Sequence, residues 1–190
     1  AVALFEPHLL IAPFLRRKIP ASVWQHTPCL VVHPGPPGDR GPSALDWAVL
    51  DATADWGVTV LRADGDYDAG PVWAHERFAM RAAAKGSLYR REVADAAVSA
   101  TLQAVARFVD GAAAGATTSI TPATAGVTAP GRWRPLMPQA ARQIDWRRDT
   151  TAQVLAKLRS ADGQPGVADE VFGQPCHLVD GHAATPALLQ

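Results

Sequence analysis

Cys29-Leu30-Val31-Val32-His33, followed at once by Pro34-Gly35-Pro36-Pro37-Gly38-Asp39-Arg40-Gly41-Pro42, is the stretch on which the fold turns. A short, unbroken apolar run closed by proline suits a strand buried on both faces of a parallel sheet. Working outward, Leu9-Leu10-Ile11-Ala12 is a similar run closed by Pro13. Gly57-Val58-Thr59-Val60-Leu61 is another, rich in β-branched residues. Val72 to Phe78 reads as a fourth strand near a sheet edge. Between the Cys29 and Gly57 strands, Leu45, Ala48, Val49 and Ala52 recur at helical spacing. Pro42 suits a first helical position, so a helix is expected over 42–54. Strand, helix, strand predicts a right-handed crossover of an α/β sheet.

Residues 87–110 carry the longest helical pattern. Val93, Ala97, Ala100, Ala104 and Phe108 form one apolar stripe, and Val98, Leu102, Val105 and Val109 a second beside it. So wide a face predicts extensive burial. Periodicity is lost from about residue 111, where Ala, Gly, Thr and Pro dominate, and a linker is expected. Order resumes at Ile144-Asp145-Trp146. Thr150-Thr151-Ala152-Gln153 is a capping-box pattern ahead of an apolar stripe of Val154, Leu155 and Leu158. Lys157 and Arg159 favour that helix's end, and Gly163 to Gly166 breaks it. The remainder reads as strands of a small second domain.

The bulk properties narrow the classes. A chain of 190 residues, 48% hydrophobic and 19% charged, is globular in balance. Lys+Arg and Asp+Glu are 18 each, so no overall field draws in nucleic acid or an anionic membrane. Two cysteines, Cys29 and Cys176, make no disulfide framework, which points to a reducing, cytoplasmic compartment. No apolar run reaches the roughly 20 residues of a transmembrane helix, and no signal-peptide pattern opens the chain. The start at Ala1, close to a core-like strand, and the end at Gln190 read as a segment of something longer.

Three patterns are set aside. Gly35, Gly38 and Gly41 have the collagen period, but only for two triplets. Asp64-Gly65-Asp66-Tyr67-Asp68 opens like a calcium loop, yet its sixth position is Ala69 and its twelfth His75, where glycine and a bidentate glutamate belong. Cys29 and His33 share a strand face with Val31, but two ligands make no zinc site, so no metal is expected.

Chemistry concentrates between Cys29 and Gly70. In open α/β sheets ligands sit beyond the carboxyl ends of strands. His33 ends one strand, and Asp68-Ala69-Gly70 follows another. A histidine there has an ordinary structural reading, and an aspartate before Ala-Gly an ordinary turn reading. Together, with a rigid Gly/Pro loop between them, they make a candidate catalytic pair.

The string Cys29-Leu30-Val31-Val32-His33, Arg40-Gly41-Pro42, Trp56-Gly57-Val58-Thr59-Val60 and Asp68-Ala69-Gly70 resembles the signature of enzymes that use 10-formyltetrahydrofolate, of which methionyl-tRNA formyltransferase is the familiar member. The family's strand ends in Asn-x-His and is followed by Arg-Gly, a Gly-Val-Thr strand and an Asp-x-Gly turn. The resemblance implies His33 and Asp68 as catalytic. Val31 stands where the family has its catalytic Asn, and Val31, Pro34, Gly35, Arg40 and Gly41 would face the folate. Thr121-Pro122 through Gly126-Val127-Thr128 is similar to the family's linker, and Gln143-Ile144-Asp145-Trp146 to the start of its small C-terminal domain. The implied fold is α/β: a partial doubly wound, mostly parallel sheet, the second half of a formyltransferase domain. Its limits would be 1–113 for the catalytic part, 114–140 for the linker and 141–190 for the C-terminal-like part. The family's first βαβ units would precede Ala1.

Two departures, Val31 and a loop from His33 to Arg40 one residue shorter than in the tRNA enzymes, point to one branch. His33-Pro34-Gly35, Gly38-Asp39-Arg40-Gly41-Pro42-Ser43, Leu45-Asp46-Trp47-Ala48, Ser22-Val23-Trp24, Ser87-Leu88-Tyr89-Arg90 and Arg134-Pro135-Leu136-Met137 resemble the formyltransferase-like part of hydrogenase maturation factors. That resemblance implies formyl transfer from 10-formyltetrahydrofolate to coenzyme A. A crotonase-like C-terminal part of the same parent chain would then release carbon monoxide for a nickel–iron hydrogenase. The expected partners are these small molecules, that second part and the hydrogenase maturation machinery, with no nucleic acid and no membrane. The implied roles are Asp68 as base and His33 as proton or hydrogen-bond donor. Arg40 would position the loop, and Arg16, Arg17 and Lys18 read as a solvated basic turn or as phosphate contacts. The isolated chain, lacking half the sheet, is not expected to be active alone. The competing readings are formylation of an amine on methionyl-tRNA or an amino sugar, and a folate-binding module without catalysis.

Overall fold

The computed structural model describes residues 2–113, 131–163 and 165–184. A short helix, α1 (Val2–Phe5), leads into β1 (Leu10–Pro13), α2 (Ala21–Trp24) and β2 (Cys29–His33). There follow α3 (Ala44–Leu50), β3 (Asp55–Arg62) and β4 (Val72–Ala79). The four strands form one sheet in the order β1-β2-β3-β4. β1 and β2 are parallel, whereas β2–β3 and β3–β4 are antiparallel.

The fold is therefore α/β with a parallel-containing sheet, but the expected crossover between Cys29–His33 and the Gly57 strand is not formed. The reason is length. A crossover helix must travel back along the sheet, and the seven residues of α3 span only about 10 Å against the ~26 Å of an eight-residue strand. The chain instead re-enters beside the end it left, with His33 opposite Thr59. Pro42 also lies outside the helix, which takes Ser43 as its N-cap.

Leu30 and Val32 of β2, Trp56, Val58 and Val60 of β3, and Ala74 of β4 face the main core. Ala44, Leu45, Ala48 and Val49 of α3 close it from one side. Leu30 and Leu45 are wholly buried, each a transfer gain of about 1.5–3 kcal/mol. The opposite face of β1 and β2 packs Ala12, Cys29 and Val31 against Ile19, Val23 and Trp24.

The long helical pattern is found as α4 (Lys85–Leu88), a π-helical turn (Tyr89–Val93) and α5 (Ala94–Ala113). Only one of its two stripes is buried. Ala97, Ala100 and Ala104 let the helix sit close on β3 and β4, while Val98, Leu102 and Val109 are exposed. Adjacent stripes lie about 100° apart on a helix, and one flat sheet covers only one of them.

After the undescribed 114–130, which hold the Thr121–Thr128 similarity, the chain runs along the loop that follows β2. Arg40 pairs with Trp133 in an isolated bridge. The Trp47 indole N–H donates to Pro135 O at 2.9 Å, and buried Met137 donates its N–H to Ser43 Oγ at 3.1 Å. A 3-10 turn (Gln139–Arg142) leads to α6 (Thr151–Ala161). α6 starts at the expected capping box, with Gln153 N–H donating to Thr150 Oγ1 at 3.3 Å and Thr150 N–H to Gln153 Oε1 at 2.8 Å. It ends at Asp162, in the left-handed conformation, and Gly163. The hairpin β5 (Val167–Val171) and β6 (Gln174–Leu178) completes a small core of Ile144, Leu158, Ala161 and Val167. A polar knot joins this unit to α3. Buried Arg142 bonds Asp46 and the Ser160 carbonyl, and Lys85 Nζ lies 2.8 Å from Asp46 Oδ1.

Candidate active site

β2 stops at His33 because Pro34 has no N–H to continue the ladder. The loop that follows is tied back to β3. Trp56 Nε1–H donates to Pro34 O at 2.9 Å, and Thr59 Oγ1–H to Gly35 O at 2.8 Å. This carries Gly35 directly over the His33 ring. A Cβ on Gly35 would lie 2.5 Å from both His33 Nε2 and Asp39 Oδ1. Glycine is needed at 35 for space.

His33 and Asp39 are each only 4% exposed. His33 Nε2 lies 2.9 Å from Asp39 Oδ1, and His33 Nδ1 lies 3.4 Å from Asp68 Oδ1. One imidazole thus sits between two carboxylates. Asp68 is in the left-handed region at φ 51°, a conformation aspartate tolerates. Its Oδ2 accepts the Gly41 N–H at 3.0 Å. Gly70 closes the turn, since a Cβ there would stand 1.8 Å from Arg62 O. The Asp-x-Gly spelling is therefore a steric requirement of the turn that aims Asp68 at His33.

Asp68 opens into a cleft shared with Val31, Leu61, Leu15, Ile19 and Tyr67, and rimmed by Arg17 and Lys18. Lys18 Nζ donates to Gly65 O and lies 5.5 Å from the Tyr67 ring centre. Its ammonium is thereby turned toward the 64–68 loop. Cys29, two residues before Val31, is buried, and burial raises its thiol pKa against a smaller opposing pull from Arg62. It is a core side chain. Tyr89 is pushed up to about 12, first by burial and then by Asp46, with Arg16 opposing.

Of the residues singled out from sequence, His33, Asp68, Gly41 and Gly35 are brought into one cluster, and Val31 lies in the cleft beside Asp68. Pro34 contributes its carbonyl to the Trp56 bond. Arg40 is exposed, and its backbone pairs with Arg132 and Arg134, so it anchors the loop from behind. Sequence reasoning missed Asp39, although a lone carboxylate in a Gly/Pro loop six residues after the histidine was a usable signal. It also missed Thr59 and Trp56 as supports of the loop. Among the described residues no cluster of three or more His, Cys, Asp or Glu could hold a metal, and no helix is long and apolar enough to cross a membrane.

No family model matches the chain. It is 53% identical over 184 residues to the hydrogenase maturation factor HoxX of Bradyrhizobium diazoefficiens, a match covering 97% of this chain and 31% of that protein. In structure it is similar to HypX from Aquifex aeolicus in complex with tetrahydrofolic acid, with TM-score 0.83 and 44% identity over 94% of this chain and 30% of that one. It shares its fold with a 4-N formyltransferase from Francisella tularensis (TM-score 0.66, 16% identity, 95% of this chain and 73% of that one). The same holds for methionyl-tRNA formyltransferase from Clostridium thermocellum (TM-score 0.61, 13% identity, 90% of this chain and 70% of that one). The chain thus spans just under a third of the maturation factors it matches. In sequence and fold these residues are similar to a part of the hydrogenase maturation factors HoxX and HypX, and they share the fold of formyltransferases.

Proposed function

We propose that the full-length gene product carrying these residues transfers formyl from 10-formyltetrahydrofolate to coenzyme A, the first step in supplying carbon monoxide to a nickel–iron hydrogenase. The observation that carries this reading is His33 held at the carboxyl end of β2 against Asp68, on the edge of a cleft. Likeness to a HypX that binds tetrahydrofolic acid supports the donor. Beside Asp68 the cleft has apolar walls of Leu15, Ile19, Val31 and Leu61, against which a flat ring could lie, while its charged lining is mixed, Arg17 and Lys18 standing with Asp64 and Asp66. A crotonase-like part of the same polypeptide would take the product onward, in concert with the maturation machinery. Two free thiols fit a cytoplasmic setting.

The acceptor thiol has an ordinary pKa near 8.5, so a modest base suffices. Asp68 takes its proton, and sulfur attacks the formyl carbon. The new S–C bond gives a tetrahedral oxyanion, which collapses to the thioester as the C–N bond to the folate breaks. His33 gives the departing nitrogen a proton, and Asp68 returns one to His33 across their 3.4 Å contact. Val31 supplies no amide to the developing oxyanion, where one donor is typically worth about 3–4 kcal/mol. Of the 35–41 loop, Pro36 and Pro37 have no N–H and those of Asp39, Arg40 and Gly41 are already donated, so the Gly35 and Gly38 N–H groups and the His33 ring are the candidates to substitute.

Val31 favours one second reading, folate binding without turnover. The test is formyl transfer by the full-length gene product, offered coenzyme A and methionyl-tRNA separately, with His33→Ala and Asp68→Ala alongside. Release of tetrahydrofolate that depends on coenzyme A and falls at least 100-fold in both variants supports the proposal. Transfer to tRNA alone, transfer surviving in His33→Ala, or folate bound with no transfer would overturn it.

A further inference from the structure

We infer that Lys18 is a positioning residue: from the segment between β1 and α2 it clamps the 64–68 loop through the Gly65 carbonyl and the Tyr67 ring, and so fixes where Asp68 stands. The kinetic consequence rests on the formyl-transfer reading; the structural one does not.

The two ends of this tie differ in rigidity. Lys18 precedes Ile19, which is buried and packs with Ala12 and Cys29. Pro20 further narrows the backbone freedom of Ile19. The main chain at Lys18 is therefore seated on the sheet, while its side chain lies at the surface. The 64–68 loop is firm only at its base, where Arg62 N–H donates to Pro71 O at 2.9 Å and Ala63 N–H to Cys29 O at 2.8 Å. Farther out, Gly65 and Asp66 are exposed and Tyr67 is half exposed. Nothing lies within 4 Å of a Cβ placed on Gly65. The bond from Asp66 N–H to Asp64 Oδ1, at 2.9 Å, is internal to the loop. Among the described residues, the hydrogen bond that reaches 64–67 from elsewhere in the chain is the one from Lys18 Nζ to Gly65 O, across 47 positions. The same ammonium lies 5.5 Å from the Tyr67 ring centre, within the roughly 6 Å reach of a cation–π contact.

Asp68 comes next in the chain. Its Oδ2 accepts the Gly41 N–H at 3.0 Å, which fixes it from one side. Lys18 holds Gly65 and Tyr67, just before it, from the other. A loop pinned at base, tip and Asp68 leaves the carboxylate one place, whereas a loop freed at its tip lets it wander. Lys18 thus differs from Arg17, which lines the same cleft but makes no hydrogen bond or ion pair among the described residues. Of the two cations, one is spent on the protein and the other is left open to the cleft.

The test is made on the full-length gene product, with amide hydrogen exchange and steady-state transfer side by side. The Gly41 amide reports Asp68, its acceptor, and the 65–67 amides report the loop. In Lys18→Met both should exchange about 10-fold faster than in the wild type. Lys18→Arg keeps a donor and a cation for the ring, and should restore both. In Lys18→Met kcat should fall about 10-fold, with KM for the folate changed by less than about 3-fold, since misplacing a reacting group acts on the rate. Lys18→Arg should recover most of that loss. Arg17→Met removes a charge from the same cleft and should leave Gly41 exchange at the wild-type value. Unchanged Gly41 exchange in a folded Lys18→Met overturns the inference. So does a rise in KM with kcat intact, which would make Lys18 a ligand contact, and so does Lys18→Arg behaving like Lys18→Met or Arg17→Met matching it at Gly41. Should Lys18→Met not fold, Lys18→Gln, which also loses the cation, is read the same way. If the wild type transfers no formyl to any acceptor, the reaction is wrong, and the exchange rates still decide the role of Lys18.

Discussion

Replacing Gly35 with alanine adds one methyl group at the most crowded point of the site. Its Cβ would lie 2.5 Å from His33 Nε2, 2.5 Å from Asp39 Oδ1 and 2.9 Å from His33 Cδ2, about 0.9 Å short of ordinary contact for the two closest. Neither neighbour can retreat, since both are only 4% exposed. The loop cannot easily rise, because Pro34 and Pro36 flank residue 35 and Thr59 holds its carbonyl. The pair must then part, which leaves a buried carboxylate facing an imidazole it no longer touches. Breaking such a pair costs about 3 kcal/mol. A displacement of roughly 1 Å in a reacting group lowers a rate about 100-fold. The assay is urea unfolding of the full-length gene product together with its formyl-transfer rate. Gly65→Ala is the control, because nothing lies within 4 Å of a Cβ there, and it should stay within about 0.5 kcal/mol of wild type. If Gly35→Ala matched Gly65→Ala in both stability and rate, the crowding argument would be refuted.

Two other outcomes follow from groups outside the site. Tyr89 has a folded pKa of about 12 against roughly 10 when free, so its contribution is intact below pH 10 and lost as pH rises through 12. Tyr89→Phe should remove about 2–3 kcal/mol of alkaline destabilisation, read as the difference between urea midpoints at pH 9 and pH 12; equal slopes in both proteins would contradict it. Asp46→Ala deprives buried Arg142 of its carboxylate and should cost about 3 kcal/mol, with faster amide exchange in α6. Arg148→Ala, which removes an 89%-exposed partner of Asp145, should change almost nothing, and similar effects of the two would rule out the buried knot.

The strands were legible because their apolar runs are closed by residues that cannot continue them. Cys29–His33 ends at Pro34 in the chain as in the fold. The Thr150 capping box was equally plain, since its bonds lie within four consecutive residues. Strand direction was not legible: whether β3 runs with or against β2 depends on how far α3 carries the chain, not on the composition of either strand. The exposed stripe of α5 was misread for a related reason, because apolarity marks a face that can be buried and not whether anything lies opposite. His33 and Asp68 could be picked out by their places after strands. Asp39 offered only the signal of a lone carboxylate in a Gly/Pro loop, and its place over the ring comes from the fold of that loop.

The segment after residue 130 gives the site a memory of how much chain has been made. The back of the His33–Gly41 loop is closed by Gly131 and by the Arg40–Trp133 bridge, and Trp47 reaches Pro135 across 88 positions of sequence. Closing so long an interval is entropically late in folding. A nascent chain that has emerged only to the end of α5 holds the strand that bears His33, yet the loop behind it is still open to water. The loop that follows β2 is covered from the rear only once synthesis has passed the residues that close it.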